Sequence, residues 1–287
     1  MIPKFGDTRA LARTISLVEN EAPGYEKLLE ELPHTSVPVI GITGPPGAGK
    51  STLTDALIGE CVKAGKKVAV LCVDPSSPFN MGALLGDRIR MSEWYTHPHV
   101  FIRSLATRGS LGGLHPRIIE ITELLKAAEF DYIIIETVGV GQSEVEIAGL
   151  ADATIVVLVP ESGDDIQVMK AGLMEIADIF VVNKCDRPGA DLFIKNLLAR
   201  TGTKSIPIQK TVASTKDGVD ALFEAIIRHL QLAHTSEKRY LLLAQRVYHI
   251  IRDKRMKDVN MEKLVEEVKS SYAAQQFNLY KLAAQYA

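Results

Sequence analysis

Short, nearly continuous apolar runs alternate with amphipathic stretches through the middle of the chain. The runs are rich in valine and isoleucine, which is typical of parallel strands covered on both faces. They lie at Val37–Thr43, Lys67–Val73, Tyr132–Ile135, Ala153–Val159 and Ile179–Val182, with a last strand predicted at Ile206–Thr211. Helical spacing is found between them at Ser51–Ala64, Pro116–Ala128 and Leu192–Arg200. The alternation predicts an α/β fold whose mostly parallel sheet is covered by helices on both faces.

The two ends of the chain show only helical patterns. Residues 7–34 hold two of them, separated by the stop signal Ala22-Pro23-Gly24. After Ser236 the apolar residues form two helical stripes, which are Tyr240, Leu243, Val247 and Ile250, and then Met261, Leu264, Val268 and Tyr272. Such stripes pack either on the body of their own chain or in a subunit interface. We therefore predict a helical arm at 1–35, an α/β domain at 36–232 and a helical extension at 233–287.

Charge and cysteine content exclude several classes of protein. With 33 basic and 35 acidic side chains, the net charge is −2, which argues against a general nucleic-acid binder. The three cysteines have unrelated spacings and do not form a disulfide framework. No signal peptide or membrane-spanning apolar segment is apparent. These features together predict a cytoplasmic protein.

A glycine-rich loop follows the first predicted strand and precedes a predicted helix. It reads Gly44-Pro45-Pro46-Gly47-Ala48-Gly49-Lys50-Ser51 and fits the phosphate-binding pattern G-x-x-x-x-G-K-[ST] in full. Its backbone N–H groups are expected to bind phosphate oxygens, together with the N-terminus of the following helix, which includes Thr52. Lys50 would neutralise the outer phosphates, and the Ser51 hydroxyl would bind Mg²⁺. The loop predicts a nucleoside phosphate as ligand.

A second motif indicates which base is bound. Asn183-Lys184-Cys185-Asp186 follows the strand Ile179–Val182. The Asp186 carboxylate can accept hydrogen bonds from guanine N1–H and its 2-amino group, whereas adenine offers neither donor. Lys184 can lie along the base plane, and Asn183 can brace the loop. A further loop containing Ala213 and Ser214 could donate a backbone N–H to the guanine oxygen, although an ordinary strand-to-helix turn explains it equally well.

The remaining candidates lie at the ends of two other strands. One segment runs from Asp74 to Asp87, and the other begins Glu136-Thr137-Val138-Gly139. Carboxylates here suit Mg²⁺, which prefers oxygen ligands, and the Gly139 N–H could contact a γ-phosphate. Val140 stands where Ras-like enzymes have a water-orienting glutamine, so we expect slow hydrolysis, with Gln142, Glu136 or a partner's group positioning the water.

Two arginines near a predicted loop are additional candidates. Arg103 and Arg108 flank Ser104–Thr107 and could reach a phosphate or a partner, whereas a solvated loop charge is the ordinary alternative for Arg108.

Taken together, these motifs resemble one family, the methylmalonyl-CoA mutase-associated GTPases of the MeaB/ArgK type. The resemblance covers nearly the whole chain. Its further marks are Ala10–Arg13, Ile15–Asn20, Val73–Ser77, Leu84–Met91, Ala106–Gly109, Leu111–Leu114, Glu136–Glu144 and Lys170–Gly172.

The resemblance implies a GTP-binding and GTP-hydrolysing chaperone for an adenosylcobalamin-dependent acyl-CoA mutase. It would gate cofactor loading and protect the mutase, with the adenosyltransferase as a further candidate partner. The resemblance also implies a homodimer built through the C-terminal helices, and magnesium-associated carboxylates at Asp74, Asp87 and Glu136. A third nucleotide-responsive segment would match Val159–Lys170.

The chain departs from the family pattern at several positions. Pro160-Glu161 replaces the usual Pro-Gly, and the order of Ala213 and Ser214 is reversed. No D-x-H-x-x-G cobalamin motif occurs, so we expect the chain not to carry that cofactor. The partner could be a relative of methylmalonyl-CoA mutase, such as an isobutyryl-CoA mutase.

Two other functions stay open: a nickel or cobalt metallochaperone GTPase and, less favoured by the guanine motif, a P-loop kinase.

Overall fold

A single parallel sheet forms the centre of the α/β part. The computed structural model describes residues 6–74, 91–108, 114–137, 143–160, 172–201, 206–232, 237–256 and 259–286. Its strands are β1 Val39–Thr43, β2 Val68–Asp74, β3 Val100–Ala106, β4 Tyr132–Glu136, β5 Ala153–Leu158, β6 Ile179–Val182 and β7 Ile208–Lys210. The order across the sheet is β3-β2-β4-β1-β5-β6-β7, and each neighbouring pair is parallel. The predicted α/β fold with a parallel sheet is therefore confirmed.

Helices cover both faces of this sheet. The helices between residues 8 and 232 are α1 Thr8–Glu19, α2 Tyr25–Glu30, α3 Lys50–Lys63, α4 Ile118–Lys126, α5 Ser143–Leu150, α6 Leu173–Ile176, α7 Ala190–Thr201 and α8 Val219–Leu232. Further along the chain are α9 Glu237–Arg255, α10 Met261–Ala273 and α11 Leu279–Ala283. Successive side chains of a strand point to opposite faces. In β5, Ile155 packs in a cluster with Leu57 of α3, and Val156 packs in a second cluster with Phe193 of α7. Each face of the sheet is therefore a separate apolar layer.

The strand β3 was not among the predicted strands. It is an edge strand, and Arg103 interrupts its apolar pattern with a partly exposed charge. The other strand boundaries differ from the predicted ones by at most two residues. The strands β1, β2, β4, β5 and β6 are apolar almost throughout, whereas in the short strand β7 only Ile208 is apolar.

Three aspartates define the edge of the sheet at which the strands begin. Asp131, Asp152 and Asp178 directly precede β4, β5 and β6. Each carboxylate accepts a 2.8 Å hydrogen bond from a backbone N–H at the start of a neighbouring strand, at Lys67, Val39 and Thr154 respectively. These carboxylates satisfy backbone groups at one edge. The predicted site residues lie at the opposite edge, where the strands end.

The N-terminal helices belong to the same compact unit as the sheet, which spans Met1–Ser236. The Asp7 side chain caps α1 by accepting a hydrogen bond from the Ala10 N–H at 2.8 Å. Leu11, Ile15 and Val18 lie one helical turn apart and are at most 2% exposed. This apolar face anchors the arm through packing.

A second compact unit spans Glu237–Ala287 and contains α9, α10 and α11. The side chains of Asn260 and Asn278 cap α10 and α11. Tyr272 and Phe277 stack with ring centroids 4.3 Å apart. Within 239–256 and 259–286, every residue is at least partly exposed. The described part of this unit therefore has no buried core of its own.

Candidate functional site

The phosphate-loop motif forms the connection between β1 and α3. Gly44, Gly47 and Gly49 have φ angles of 140°, 78° and 90°, a region that favours glycine. A Cβ atom at Gly44 would clash with the Val157 carbonyl oxygen, and one at Gly49 with the Asn183 side-chain nitrogen. These glycines therefore allow both the turn and its close approach to neighbouring elements.

Lys50 reaches back across this loop from the first turn of α3. Its residue is only 7% exposed, and Nζ donates hydrogen bonds to the carbonyl oxygens of Gly44 at 2.9 Å and Pro45 at 3.0 Å. The ammonium charge is therefore held at the loop that the sequence predicts to bind phosphate.

Ser51 and Glu136 meet beside the loop although 85 residues separate them. The Ser51 hydroxyl donates to Glu136 Oε1 at 2.6 Å. Glu136 ends β4, and Asp74 ends the adjacent strand β2; they are 4% and 6% exposed. One hydroxyl and two carboxylates form an oxygen-only donor set, which suits Mg²⁺. Ser51, Asp74 and Glu136 are therefore the described residues that could hold this ion.

The guanine motif is tied directly to the phosphate loop. Asn183 is 3% exposed and donates from Nδ2 to the Ala48 carbonyl oxygen at 2.9 Å. Lys184 Nζ donates to the Gly47 carbonyl oxygen at 2.8 Å. The two loops, 135 residues or more apart in sequence, thus form one unit. Asp186 follows on the exposed part of the turn, where its carboxylate is accessible to a base.

Two residues position Asn183, and their role was not predicted. The Thr211 hydroxyl and the Ala213 N–H both donate to Asn183 Oδ1, at 3.1 and 3.0 Å. Because Oδ1 accepts twice, the amide is oriented with Nδ2 toward the phosphate loop. Ala213 was one candidate for donating an N–H to the guanine oxygen, with an ordinary strand-to-helix turn as the equal alternative; its N–H bonds Asn183 here. The neighbouring Ser214 lies exposed on the same turn.

The two arginines that could reach a phosphate or a partner lie at the end of α1 in this structure, and such a contact stays a prediction. Arg103 Nη2 pairs with Glu19 Oε2 at 2.8 Å, and Arg108 Nη2 pairs with Glu19 Oε1 at 3.3 Å. Arg108 also donates to Asn20 Oδ1 at 2.7 Å. Both guanidinium groups therefore hold the end of α1, because a carboxylate and helix-terminal acceptors lie within their reach. Sequence spacing could not reveal a partner more than 80 residues away.

Several predicted site residues lie outside the described residues. They are Asp87, Gly139 and Gln142, together with most of the segment Val159–Lys170. Their assignments stay predictions. Thr52, at the start of α3, is described and lies directly after Ser51.

Fold and site together define a P-loop nucleotide-binding protein with a guanine-type base loop. Comparison with known proteins makes the assignment more specific. Residues 11–272 match the sequence model of the family described as "Methylmalonyl Co-A mutase-associated GTPase MeaB". The chain belongs to this family, so the resemblance inferred from the motifs is confirmed.

Individual relatives agree with this assignment. The chain is 49% identical over 264 residues to a "Putative GTPase" of Pyrococcus horikoshii, covering 86% of this chain and 83% of that protein. It is 37% identical over 245 residues to the "Fused isobutyryl-CoA mutase" of Geobacillus kaustophilus, covering 77% of this chain but 22% of that protein. A crystal structure described as "LAO/AO transport system kinase" is similar with a TM-score of 0.66 and 27% identity, covering 98% of this chain and 93% of that one.

No helix in the described part of the chain combines the length and the apolar character needed to cross a bilayer.

Proposed function

We propose that this protein hydrolyses GTP and acts as a chaperone for an adenosylcobalamin-dependent acyl-CoA mutase, gating cofactor loading and protecting the mutase. Membership of a GTPase family supports the nucleotide chemistry. The family description and the similarity to part of a fused isobutyryl-CoA mutase support the choice of partner. In this proposal the chain works in the cytoplasm, binds no cobalamin itself, and the adenosyltransferase is a further candidate partner.

The single observation that carries the nucleotide assignment is the direct link between the two loops. Asn183 and Lys184 bond the carbonyl oxygens of Ala48 and Gly47. A nucleotide has its base and phosphates a fixed distance apart, so a site for it needs two loops in fixed register. Hydrogen bonds from buried or partly buried side chains provide that register here.

The candidate site residues have different roles in the proposed reaction. Lys50 would stabilise the outer phosphates with its charge. Ser51, Asp74 and Glu136 would hold Mg²⁺, with Asp87 as the remaining candidate. Bound magnesium would neutralise charge on the phosphates and align them. Glu136 and Gln142 are the chain's own candidates for orienting the attacking water. Hydrolysis is therefore expected to be slow until a partner completes the site.

The base assignment is tested by Asp186→Asn. An amide cannot accept from both guanine donors, so affinity for GDP should fall at least tenfold while affinity for xanthosine diphosphate rises. Asp191→Asn, a change at a highly exposed carboxylate on α7, is the matched control. Fluorescent nucleotide titration measures both affinities. Unchanged discrimination among guanosine, xanthosine and adenosine diphosphates would contradict the base assignment.

The choice between a GTPase and a kinase is tested on the unaltered protein. We expect GTP to bind far more tightly than ATP, with inorganic phosphate released, and Lys50→Ala to lose nucleotide binding or hydrolysis. Equal affinities for GTP and ATP, or phosphate transferred to an acceptor, would favour the kinase class instead.

The partner assignment is tested by association with purified acyl-CoA mutases. Methylmalonyl-CoA and isobutyryl-CoA mutases should be compared in the presence of GDP and a non-hydrolysable GTP analogue. We expect one of them to bind with an affinity that depends on the nucleotide and to stimulate GTP hydrolysis. Failure with both would contradict the chaperone role and leave the GTPase role intact.

The helical extension supports a homodimer in this proposal. Its described part has no buried residue, and Tyr240, Val247, Tyr272 and Leu279 are 55 to 64% exposed. Exposed apolar helix faces are stabilised by burial against another surface. Light scattering should give a mass twice that of one 31.4 kDa chain. For Val247→Glu we expect the mass of a single chain, because a charge on this apolar face opposes its burial. A monomeric unaltered protein would contradict the dimer.

The metal-delivery alternative lacks support in the described residues. They contain no group of three or more histidine, cysteine, aspartate or glutamate residues that could hold a metal ion. Cys61 and Cys72 are buried in the core. Tight binding in a nickel titration would revive this alternative.

A further inference from the structure

Two consecutive residues at the end of β4 contact both ends of the phosphate loop. Glu136 Oε1 accepts a 2.6 Å hydrogen bond from the hydroxyl of Ser51, the last residue of the loop motif. The Thr137 hydroxyl donates to the Thr43 hydroxyl oxygen at 2.9 Å, directly before it. The Thr137 N–H also donates to the Ile42 carbonyl oxygen at 3.0 Å. Glu136 and Thr137 therefore contact the chain at both ends of the phosphate loop.

The hydroxyl pair lies in an unusual place for polar groups. Thr43 and Thr137 are 0% and 1% exposed, and the rest of β1, Val39–Ile42, carries no polar side chain. Valine has nearly the shape of threonine and would fill the same space without a buried hydroxyl. Burying a hydroxyl costs free energy unless it is hydrogen-bonded. Packing alone therefore does not account for threonine at both positions.

The geometry gives the pair a specific task. Thr137 follows Glu136 directly, so its bond to Thr43 fixes the backbone at Glu136 relative to the phosphate loop. Functional side chains must be held within about 0.5 Å of their working geometry by the residues that support them, so the backbone that carries Glu136 helps to set its 2.6 Å bond to Ser51. We propose that Thr43 and Thr137 are a positioning pair that holds Glu136 against Ser51 and thereby sets how strongly magnesium supports nucleotide binding. This rests on the proposed nucleotide and magnesium site.

The test measures nucleotide affinity as a function of free magnesium. Thr43→Val and Thr137→Val each remove one hydroxyl and keep the shape. We expect the magnesium concentration for half-maximal tightening of GDP binding to rise about tenfold in each, while GDP affinity in EDTA changes less than twofold. The double variant should resemble either single one, because one shared bond is lost. Thr137→Ser should restore the dependence of the unaltered protein.

A matched control separates positioning from general stability. Thr122→Val removes an equally buried hydroxyl, which donates to the Ile118 carbonyl oxygen within α4, away from the loop. It should lower the thermal midpoint without changing the magnesium dependence. If the valine variants do not fold, Thr137→Ala and Thr137→Ser, which differ by one hydroxyl, provide the same comparison.

The outcomes distinguish this inference from the proposed function. If the unaltered protein binds no guanine nucleotide, or binds it without any effect of magnesium, the proposed site itself is wrong. If it binds with magnesium but both valine variants, or the alanine variant, keep the same magnesium dependence, the positioning pair alone is overturned. An equal change in Thr122→Val would also overturn it.

Discussion

His115 should make the stability of the first unit depend on acid. It lies just before α4 and is 1% exposed. Its Nδ1 accepts the Arg117 N–H at 3.0 Å, and its Nε2 has no hydrogen-bond partner among the described residues. Burial lowers the pKa of His115 from its ordinary 6.5 to about 4, with Glu19 and Glu120 opposing this and Arg108 and Arg117 adding to it. The folded protein therefore keeps this imidazole neutral.

The sign and size of the effect follow from linkage. Well above its ordinary pKa of 6.5 the imidazole is neutral in both states, and no stability is lost. As the pH falls toward 4, the unfolded chain gains a proton that the folded chain excludes, so the folded state loses stability. The pKa difference corresponds to about 3 kcal/mol in total, of which about 2 kcal/mol is lost between about pH 7.5 and about pH 5.

The assay compares urea denaturation of the unaltered protein and His115→Asn at several pH values. Asparagine can still accept the Arg117 N–H but does not titrate. Fluorescence of Trp94, the one tryptophan, reports unfolding of the first unit. His34→Asn, at an exposed histidine, is the control and should follow the unaltered protein. If His115→Asn shows the same loss of stability with falling pH, the reasoning from burial is refuted.

Three further predictions concern other contacts of the first unit. Glu19→Gln should cost about 2 kcal/mol in urea denaturation, because two arginines lose their carboxylate, whereas the exposed control Glu30→Gln should cost little; equal stability of both would contradict this. Asp152→Ala should cost about 1 kcal/mol and Asp152→Asn less, since an amide oxygen can still accept the N–H at the start of β1; identical melting would count against the bond's importance. Burial raises the pKa of Cys61 to about 12, so at pH 8 iodoacetamide should modify the partly exposed Cys185 before Cys61. Mass spectrometry measures the labelling of each cysteine, and comparable labelling of the two would contradict the burial argument.

Local patterns were sufficient to predict most of the sheet and both loops. The strands β1, β2, β4, β5 and β6 are apolar on both faces, and that signal is contained in four to seven consecutive residues. The phosphate loop lies between a strand and a helix, as its motif requires. The edge strand β3 was missed because Arg103 breaks the apolar run.

Tertiary structure decided which distant groups meet. The sequence by itself determined the kind of fold, the phosphate loop and the guanine motif, because each depends on the chemistry of neighbouring residues. It did not determine that Ser51 bonds Glu136, that Thr137 bonds Thr43, or that Arg108 bonds the end of α1. These pairs depend on strand order and on how helices pack on the sheet. A side chain's role follows from whichever partner that packing brings within about 3 Å.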